Sequence, residues 1–416
     1  MPKIFMPIAA AFAPNYTLGD FMIAARYYFA GEDKLREGEC VKLLEDAFAR
    51  YMDVPAAVSF DSGRSGFYAI LEAIGISEGD EIILQAFTTV ALPNAIRTFG
   101  AVPVYADIDE KTLNMDADGL EAKITPKTKA IIIQHTFGNP ADLDKILGVA
   151  KKRGLMTIED CAHSLGAEYG GVKTGKFADA AFFSFGRDKV ISAVSGGMAI
   201  AKDAALMEKI SAAREKMPYP SGKEIRKKLA HLLVAFPALH TYKLLSLGKA
   251  VMFAAQKTGM IDKAYTKEEK RGELRKGFAK RMPNALAAIA CHQMQFIDGF
   301  NAHRIEIAGI YGKSLNPEKA AKTAAAAGGK NIFLWYTIMV PDKKGMIARA
   351  AKKDIFLGDW FPQAVGPIEA DIGKAGYVKG SCPVAEKASA HCVNLPTHHD
   401  MDEEDAWKVA GFVNSF

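Results

Sequence analysis

Short apolar runs alternate with amphipathic, helix-like segments along the chain between about residues 55 and 201. Several of these runs are apolar at nearly every position, which is typical of strands that are buried on both faces. The alternation therefore predicts an α/β fold with a mostly parallel sheet sandwiched by helices. The predicted strands are PAAVSF (55–60), DEIILQ (80–85), VPVYAD (102–107), AIIIQH (130–135), LMTIED (155–160), AAFFSF (180–185) and GMAIA (197–201).

The pattern changes after about residue 216, and this change predicts the domain organisation. The following segment is apolar and basic, and we expect it to form one or two amphipathic helices, split at Pro237. A long helix over 284–315 comes next, and two predicted strands and two predicted helices complete a smaller α+β unit. The predicted division is a large cofactor-binding α/β domain over 1–216, an insertion over 217–280 and a small C-terminal domain over 281–416.

Composition and charge exclude several classes of protein. A formal net charge of +5 is small for 416 residues and gives no reason to expect a nucleic-acid partner. The five cysteines are scattered and form no C-x-x-C pair, so neither a metal site nor a disulfide framework is predicted. The first residues make a poor signal peptide, and no apolar run is long enough to span a bilayer. These features predict a cytoplasmic protein.

An acidic residue and a lysine follow neighbouring strands of the predicted sheet. Asp160 ends one strand, and Lys189 lies just beyond the next. Because ligands bind beyond the carboxyl ends of parallel strands, we expect the two side chains to meet there. Pyridoxal phosphate requires this pair, an amine that bonds its aldehyde and a carboxylate beside its ring nitrogen. Alone, each residue is more simply a helix cap or a surface lysine. Together they predict a pyridoxal phosphate site.

A Gly/Ser-rich turn offers a site for the phosphate group. The stretch FDSGRSGFYAILEAIG reads as a strand end, a turn and a helix start. Exposed N–H groups at a helix start bind phosphate, and Gly63, Arg64 and Ser65 would supply them. A capped helix without any ligand explains the same turn. No Walker motif and no G-x-G-x-x-G opens a helix, so nucleotide-driven and dinucleotide chemistry have no support.

The sequence resembles the DegT/DnrJ/StrS family of sugar aminotransferases, which are fold-type I pyridoxal phosphate enzymes. The resemblance runs from about residue 35 to the C-terminus, and the order and spacing of the matching pieces make it specific. These pieces are SGRSGFYAIL (62–71), QAFTTVALPNAI (85–96), ADIDEKTLNMD (106–116), HTFGNPADLDKI (135–146), IEDCAHSLGAEYGG (158–171), AAFFSFGRDK (180–189), SGGMAI (195–200) and NLPTHHDMDEEDAWKV (394–409).

The resemblance implies a role for each of four residues. Lys189 would form the internal aldimine with pyridoxal 5′-phosphate and then carry the proton between the substrate and the cofactor. Asp160 would pair with the pyridine nitrogen. His163 occupies the position of a family Gln or His near the ring, and Ser184 would donate to the phosphate. Ser184 could instead simply face the core, and His163 could be a satisfied histidine at a helix start.

Three positions depart from the family pattern. Thr89 stands where an aromatic residue often stacks on the cofactor, and Phe87 is a candidate to replace that ring. Arg64 stands in place of a common Thr. Ala279 replaces an Asn that reaches the phosphate of the neighbouring subunit, whereas Arg281 keeps the Arg of the same stretch. We expect Arg64 to provide the phosphate interaction that Ala279 cannot make, and the shared phosphate site implies a homodimer.

The predicted function is that of a pyridoxal phosphate-dependent aminotransferase. The resemblance implies an amino-acid donor such as L-glutamate and a nucleotide-linked keto sugar as the acceptor. Because the family's deoxysugar dehydratases carry His in place of Lys189, transamination is favoured over dehydration. Two alternatives remain open, a pyridoxal phosphate enzyme with a non-sugar substrate and a non-catalytic relative with a sensing or assembly role.

The inserted segment raises a separate question about membranes. Residues 226–257 are apolar with lysines and arginines at their edges and within, a pattern typical of amphipathic helices at a membrane surface. The same segment could instead pack on a partner subunit or cover the active site. Its apolar parts are too short to span a bilayer.

Overall fold

The structure is a computed structural model that describes residues 6–10, 15–257, 266–273 and 277–416. Its strands, in chain order, are β1 Ile8–Ala9, β2 Val58–Phe60, β3 Glu81–Gln85, β4 Thr88–Thr89, β5 Val102–Ala106, β6 Thr128–Gln134, β7 Met156–Asp160, β8 Glu168–Tyr169, β9 Val172–Lys173, β10 Ala180–Ser184, β11 Gly197–Ala201, β12 Ala321–Lys322, β13 Gly329–Lys330, β14 Tyr336–Met339, β15 Ile355–Phe356, β16 Val365–Gly366 and β17 Cys392–Leu395.

The α-helices are α1 Leu18–Tyr28, α2 Glu32–Arg36, α3 Glu39–Met52, α4 Gly63–Ala73, α5 Ala91–Arg97, α6 Leu143–Arg153, α7 Ala204–Glu215, α8 Gly222–His240, α9 Leu247–Lys257, α10 Lys267–Lys270, α11 Asn284–Met294, α12 Ile297–Ser314, α13 Lys343–Ala351, α14 Pro383–His391 and α15 Glu403–Ser415. Short 3-10 helices occupy Glu121–Lys123 and Thr136–Gly138. Among the described residues, no helix combines the length and the apolar character that crossing a membrane requires.

A seven-stranded sheet forms the centre of the molecule, in the order β2-β11-β10-β7-β6-β3-β5. The pairs among β5, β3, β6, β7 and β10 are all parallel, and β11 runs antiparallel to both of its neighbours. Each of the seven predicted strands forms one strand of this sheet, so the predicted α/β class is confirmed. The central strands are buried over most of their length, as expected for a sheet with helices on both faces.

Polar residues at the strand-to-helix junctions start several of the helices that cover the sheet. The side chains of Ser62, Asp142 and Asp203 accept hydrogen bonds from backbone amides in the first turns of α4, α6 and α7. Such caps satisfy amides that have no partner within the helix. Gly154 ends α6 in the left-handed conformation, which costs a glycine little. Local sequence thus sets where each connection turns back toward the sheet.

A second, smaller core lies in the C-terminal part of the chain. A three-stranded sheet in the order β12-β14-β17 packs with α12, α13 and α15, and Ile8 from the N-terminal segment joins the same cluster. The helices and strands of this core, apart from the N-terminal Ile8, come from the segment predicted to form a small α+β domain. The residues of α11 instead belong to the core beneath the large sheet. The domain boundaries at 216 and 280 stay predictions.

Two helix predictions need correction. The long helix expected over 284–315 is interrupted at Gln295 and Phe296, so that α11 and α12 are separate. Pro237 lies inside α8 and does not split the inserted segment. Because Pro237 is close to the end of α8, its missing N–H removes only one bond near the end of the ladder. The chain instead turns between α8 and α9, where Leu245 and Ser246 have positive φ.

Candidate active site

Asp160 and Lys189 lie at the carboxyl edge of the central sheet, one at the end of a strand and the other in the loop that follows the neighbouring strand. Asp160 is the last residue of β7 and is paired in register with Phe182 of β10. Ser184 ends β10, and Lys189 follows in the loop beyond it. The structure thus joins the two residues that the sequence selected, because parallel neighbours end at the same edge.

Burial shifts the pKa values of both groups. It lowers the pKa of Lys189 from 10.5 to about 8, although the negative charges of Asp160 and Asp188 work in the opposite direction. It raises the pKa of Asp160, while a backbone N–H from Ala162 and the charge of Lys189 favour the ionised carboxylate. An amine with a lowered pKa is neutral, and therefore nucleophilic, over a larger part of the ordinary pH range.

Lys189 is held by a clamp of three residues that are distant in sequence. The Asn15 amide donates to the backbone carbonyl of Lys189, and Arg304 donates to the carbonyl of Val190 at 2.9 Å. Gln293 accepts from the backbone N–H of Ser192 and donates to the carbonyl of Asn15. Arg304 and Gln293 are fully buried. We name Asn15, Gln293 and Arg304 the lysine clamp, which fixes the backbone from which the Lys189 side chain extends.

The predicted phosphate turn forms the start of α4, packed against β10 and β11. A Cβ added at Gly63 would lie 3.0 Å from the carbonyl oxygen of Phe183 and from the Cβ of Ser184. A Cβ added at Gly197 would clash with the backbone nitrogen of Gly63. These glycines let the helix start approach Ser184 closely. The turn thus brings the amides of Gly63 and Arg64 close to the Ser184 hydroxyl, while the Ser65 amide donates to the side chain of Ser62. Phosphate binding at this turn stays a prediction.

Charged side chains surround the phosphate turn. The Arg64 guanidinium forms an ion pair with Glu269. The Asp61 carboxylate accepts hydrogen bonds from the hydroxyls of Ser62 and Ser65. Lys228, on the inserted helix α8, lies 3.7 Å from the same carboxylate. Lys228 is not among the residues predicted for this turn, because no local sequence pattern shows that α8 folds back over it.

His163 stands in a group of aromatic rings that we name the aromatic wall. Its ring stacks on Phe137 at 5.6 Å between centroids, and its Nδ1 accepts the backbone N–H of Phe137. Burial lowers the pKa of His163 well below its usual value, and Lys189 acts in the same direction, so the ring is neutral. The wall consists of Phe137, His163, Trp335, Trp360 and Phe361.

Two tryptophans of the wall are not among the predicted site residues. The Lys189 amine lies 5.6 Å from the ring centre of Trp360, which in turn contacts Trp335 at 4.2 Å. Phe87 is fully buried and packs against Phe137 and Phe361. The rarity of tryptophan was a usable signal, since the chain has only three and two of them are in this wall.

Thr89 and Arg281, also predicted to bind the cofactor, have other partners in this structure. Thr89 belongs to β4, pairs with Gly366 and accepts the backbone N–H of Ala91. Arg281 pairs with the Glu215 carboxylate at 2.8 Å, donates to the carbonyl of Met217 and lies over the ring of Tyr219. Within this single chain, Arg281 is thus engaged at the end of α7. A phosphate contact from Arg281 to a neighbouring subunit stays a prediction.

Comparison with known proteins shows the family. The model of the DegT/DnrJ/EryC1/StrS aminotransferase family matches residues 22–414, and the chain belongs to that family. It is 30% identical over 375 residues to the GDP-perosamine synthase of Caulobacter vibrioides, covering 89% of this chain and 88% of the relative. It is 29% identical over 376 residues to the UDP-N-acetyl-3-dehydro-alpha-D-glucosamine 3-aminotransferase of Acidithiobacillus ferrooxidans, with coverage of 89% and 87%.

A solved structure shares the fold. DesI, determined in the presence of its TDP-sugar product, superposes with a TM-score of 0.73 at 21% identity, over 99% of this chain and 93% of DesI. The chain is therefore an aminotransferase with the fold-type I architecture that the sequence predicted, and its cofactor is pyridoxal 5′-phosphate. The donor set at the sheet edge fits this cofactor, with an amine, a buried acid and a glycine-lined phosphate turn.

Proposed function

We propose that this enzyme transfers an amino group from an amino acid, with L-glutamate as the first candidate, to a nucleotide-linked keto sugar. The observation that carries the proposal is the meeting of Lys189 and Asp160 at the carboxyl edge, with the lysine pKa lowered to about 8. The sugar acceptor is supported by two relatives, a GDP-perosamine synthase and a UDP-N-acetyl-3-dehydro-alpha-D-glucosamine 3-aminotransferase.

The residues assigned to the cofactor divide by the part of it that they would hold. When bound, pyridoxal phosphate supplies an aldehyde that takes up amines and a ring that accepts electrons. Asp160 would hold the ring nitrogen, and His163 would lie beside the ring. Trp360 is our candidate for the ring cover that Thr89 does not provide. The phosphate would be held by the amides of Gly63, Arg64 and Ser65 and by the hydroxyl of Ser184.

Lys189 would serve as the proton carrier of the reaction. Its neutral amine could accept a proton from the α-carbon of the donor amino acid at Nζ and deliver it to the C4′ carbon of the cofactor, on the other side of the shared nitrogen. The lowered pKa makes this exchange possible near neutral pH, since a lysine with a pKa of 10.5 would stay protonated. Asp160 would stay ionised against a cationic ring nitrogen, because that charge offsets the cost of burying the carboxylate.

Spectroscopy of the purified protein tests this assignment. Wild type loaded with pyridoxal phosphate should show a visible absorbance band that L-glutamate converts to a near-ultraviolet band. Borohydride reduction followed by mass spectrometry should place the cofactor's mass on Lys189. If L-glutamine converts the visible band and L-glutamate does not, L-glutamine is the amino donor. Absence of any visible band in wild type would contradict the proposal and favour a non-catalytic relative.

The acceptor needs its own experiment. Enzyme preloaded with the amino group should return to the visible band when a nucleotide-linked keto sugar is added. A panel of GDP-, UDP- and TDP-linked keto sugars and simple keto acids distinguishes a sugar acceptor from a non-sugar acceptor. Turnover with keto acids but with none of the sugars would favour the non-sugar substrate.

We also propose that the enzyme works as a homodimer with shared phosphate sites. The family resemblance carries this proposal, with Arg281 as the residue that would reach across. Light scattering tests the oligomeric state. Arg281→Ala tests the sharing, since mixing it with Lys189→Ala would restore part of the activity only if each chain completes its partner's site.

A peripheral contact with anionic membranes is a second proposal, carried by the turn between α8 and α9. Leu245 is 95% exposed and Phe253 is 68% exposed. From Ile225 to Ile261 the sequence contains six lysines and arginines and no acidic residue, which complements an anionic lipid surface. Flotation with phosphatidylglycerol vesicles tests this. Leu245→Asp should abolish flotation, and Leu18→Asp, an exposed leucine on α1, is the matched control.

The cytoplasmic location stays a prediction.

A further inference from the structure

The inserted helix α8 carries a lysine to the phosphate turn of the same chain. The Nζ of Lys228 donates to the hydroxyl of Ser195 at 3.0 Å, and this hydroxyl donates to the backbone carbonyl of Asp61. The same Nζ lies 3.7 Å from the Asp61 carboxylate. The Lys228 side chain is only 19% exposed. A lysine that is largely buried beside a phosphate turn is held there by specific partners.

Other cations at the turn have acidic partners of their own. Arg64 pairs with Glu269 on α10, and the Lys280 amine donates to Glu224 on α8 at 2.7 Å. Residue 279, where the family places an Asn that reaches the phosphate, is Ala in this chain. The side chains of Arg64 and Lys280 therefore interact with acidic residues outside the turn. The partners of Lys228, in contrast, are Asp61 of the turn itself and Ser195 of the loop beside it.

The charges at the turn favour a cation in this position. A phosphate monoester carries a charge near −2 at neutral pH, and the Asp61 carboxylate would stand close to it on the same turn. Two buried anions repel each other unless a cation lies between or beside them. Lysine has three N–H donors, so Lys228 can keep Ser195 and Asp61 and still donate to a third acceptor.

We propose that Lys228 binds the phosphate group of the cofactor and is supplied in cis by the insertion. This inference rests on the proposed function, since it takes the turn at Gly63 as the phosphate site. The inserted helix would then provide the interaction that Ala279 does not offer. In this chain the insertion is part of the cofactor site as well as a surface element.

Comparison of pyridoxal phosphate with pyridoxal tests the proposal, since the two differ only in the phosphate. We would titrate the apo-proteins of wild type, Lys228→Met, Lys228→Arg and the exposed control Lys223→Met with both compounds and follow the visible band. Lys228→Met should weaken binding of pyridoxal phosphate about 10- to 100-fold, the loss expected for a hydrogen bond to a charged group. Its affinity for pyridoxal should stay within about twofold of wild type. Lys228→Arg should recover most of the loss.

The results that would contradict the Lys228 proposal differ from the result that would contradict the proposed function. Equal weakening for both compounds would overturn the proposal and make Lys228 a structural partner of Asp61. Unchanged affinity for both would overturn it as well. A wild-type protein that develops no band with pyridoxal phosphate would contradict the proposed function itself. Circular dichroism and thermal melting of each variant exclude unfolding. If Lys228→Met does not fold, Lys228→Gln, which is polar but uncharged, carries the same test with the same expected difference between the two compounds.

Discussion

The polar floor of the active site and its aromatic wall are assembled in different ways. The polar floor, Asp160, Ser184 and Lys189, comes from two adjacent strands within one short stretch of sequence. The aromatic wall joins Phe137 and His163, which follow strands β6 and β7, to rings from residues 335–361. Sheet register places Asp160 and Ser184, and the lysine clamp holds the Lys189 loop beyond β10. The aromatic wall, in contrast, obtains three of its own rings from a distant part of the chain. The residues that carry the chemistry are thus close together in the sequence, whereas the rings that shape the site are not.

Replacement of the floor lysine should have the largest effect. Lys189→Ala should reduce the transamination rate by a factor of about 10³ or more, because it removes both the nucleophile and the proton carrier. Stopped-flow measurement of the half-reaction with L-glutamate checks this. Lys189→Arg keeps a cation but cannot supply a neutral amine, and it should be equally inactive. Activity in Lys189→Arg would mean that charge alone matters at this position.

Replacement of the floor acid should rank second. Asp160→Asn should slow the half-reaction about 100-fold, in the range measured for one positioned electrostatic group. The amide cannot hold a cationic ring nitrogen, so the ring becomes a weaker electron acceptor. Asp188→Asn, which removes an acid on the lysine loop, is the matched control with a small expected effect. Equal losses in the two variants would show that general negative charge is sufficient.

Removal of a ring from the aromatic wall should have a smaller effect, and this effect should be on the affinity for the cofactor. Trp360→Ala should weaken cofactor affinity about 3- to 10-fold, the value of an aromatic contact beyond its buried area. The rate of the half-reaction at saturating cofactor should change little. Trp407→Ala, at an exposed position on α15, provides the control. A large loss of rate in Trp360→Ala would place the wall in the chemistry and remove the distinction from the floor.

The smallest expected effect is a shift in the pH dependence of cofactor attachment, which should differ between variants of the floor and of the wall. Covalent attachment of pyridoxal phosphate to the apo-protein requires the neutral amine of Lys189, so its rate should rise through about pH 8 and then level off. Because Asp160 raises the pKa of that amine, Asp160→Asn should move the midpoint to lower pH. Trp360→Ala should leave the direction of the profile unchanged. A midpoint near 10.5 in wild type would contradict burial of the amine.

The extent of prediction from sequence follows the same division. The runs ending at Asp160 and at Phe185 identified adjacent strands, because buried parallel strands are continuous apolar segments. The turn at Gly63 was found because caps and glycines act over a few residues. Trp360 and Lys228 could not be placed in this way. Their positions depend on how the C-terminal unit and α8 dock on the large sheet, and no periodicity encodes that docking.

The lysine clamp has a consequence for protein synthesis. The backbone of the Lys189 loop is held by residue 15 at one end of the chain and by residues 293 and 304 far beyond it. A growing polypeptide on the ribosome can complete the clamp only after Arg304 has emerged, because contacts of large sequence separation form late. The reactive amine is therefore assembled near the end of translation. We expect nascent chains arrested before residue 304 to load cofactor poorly, even though they already contain every residue of the polar floor.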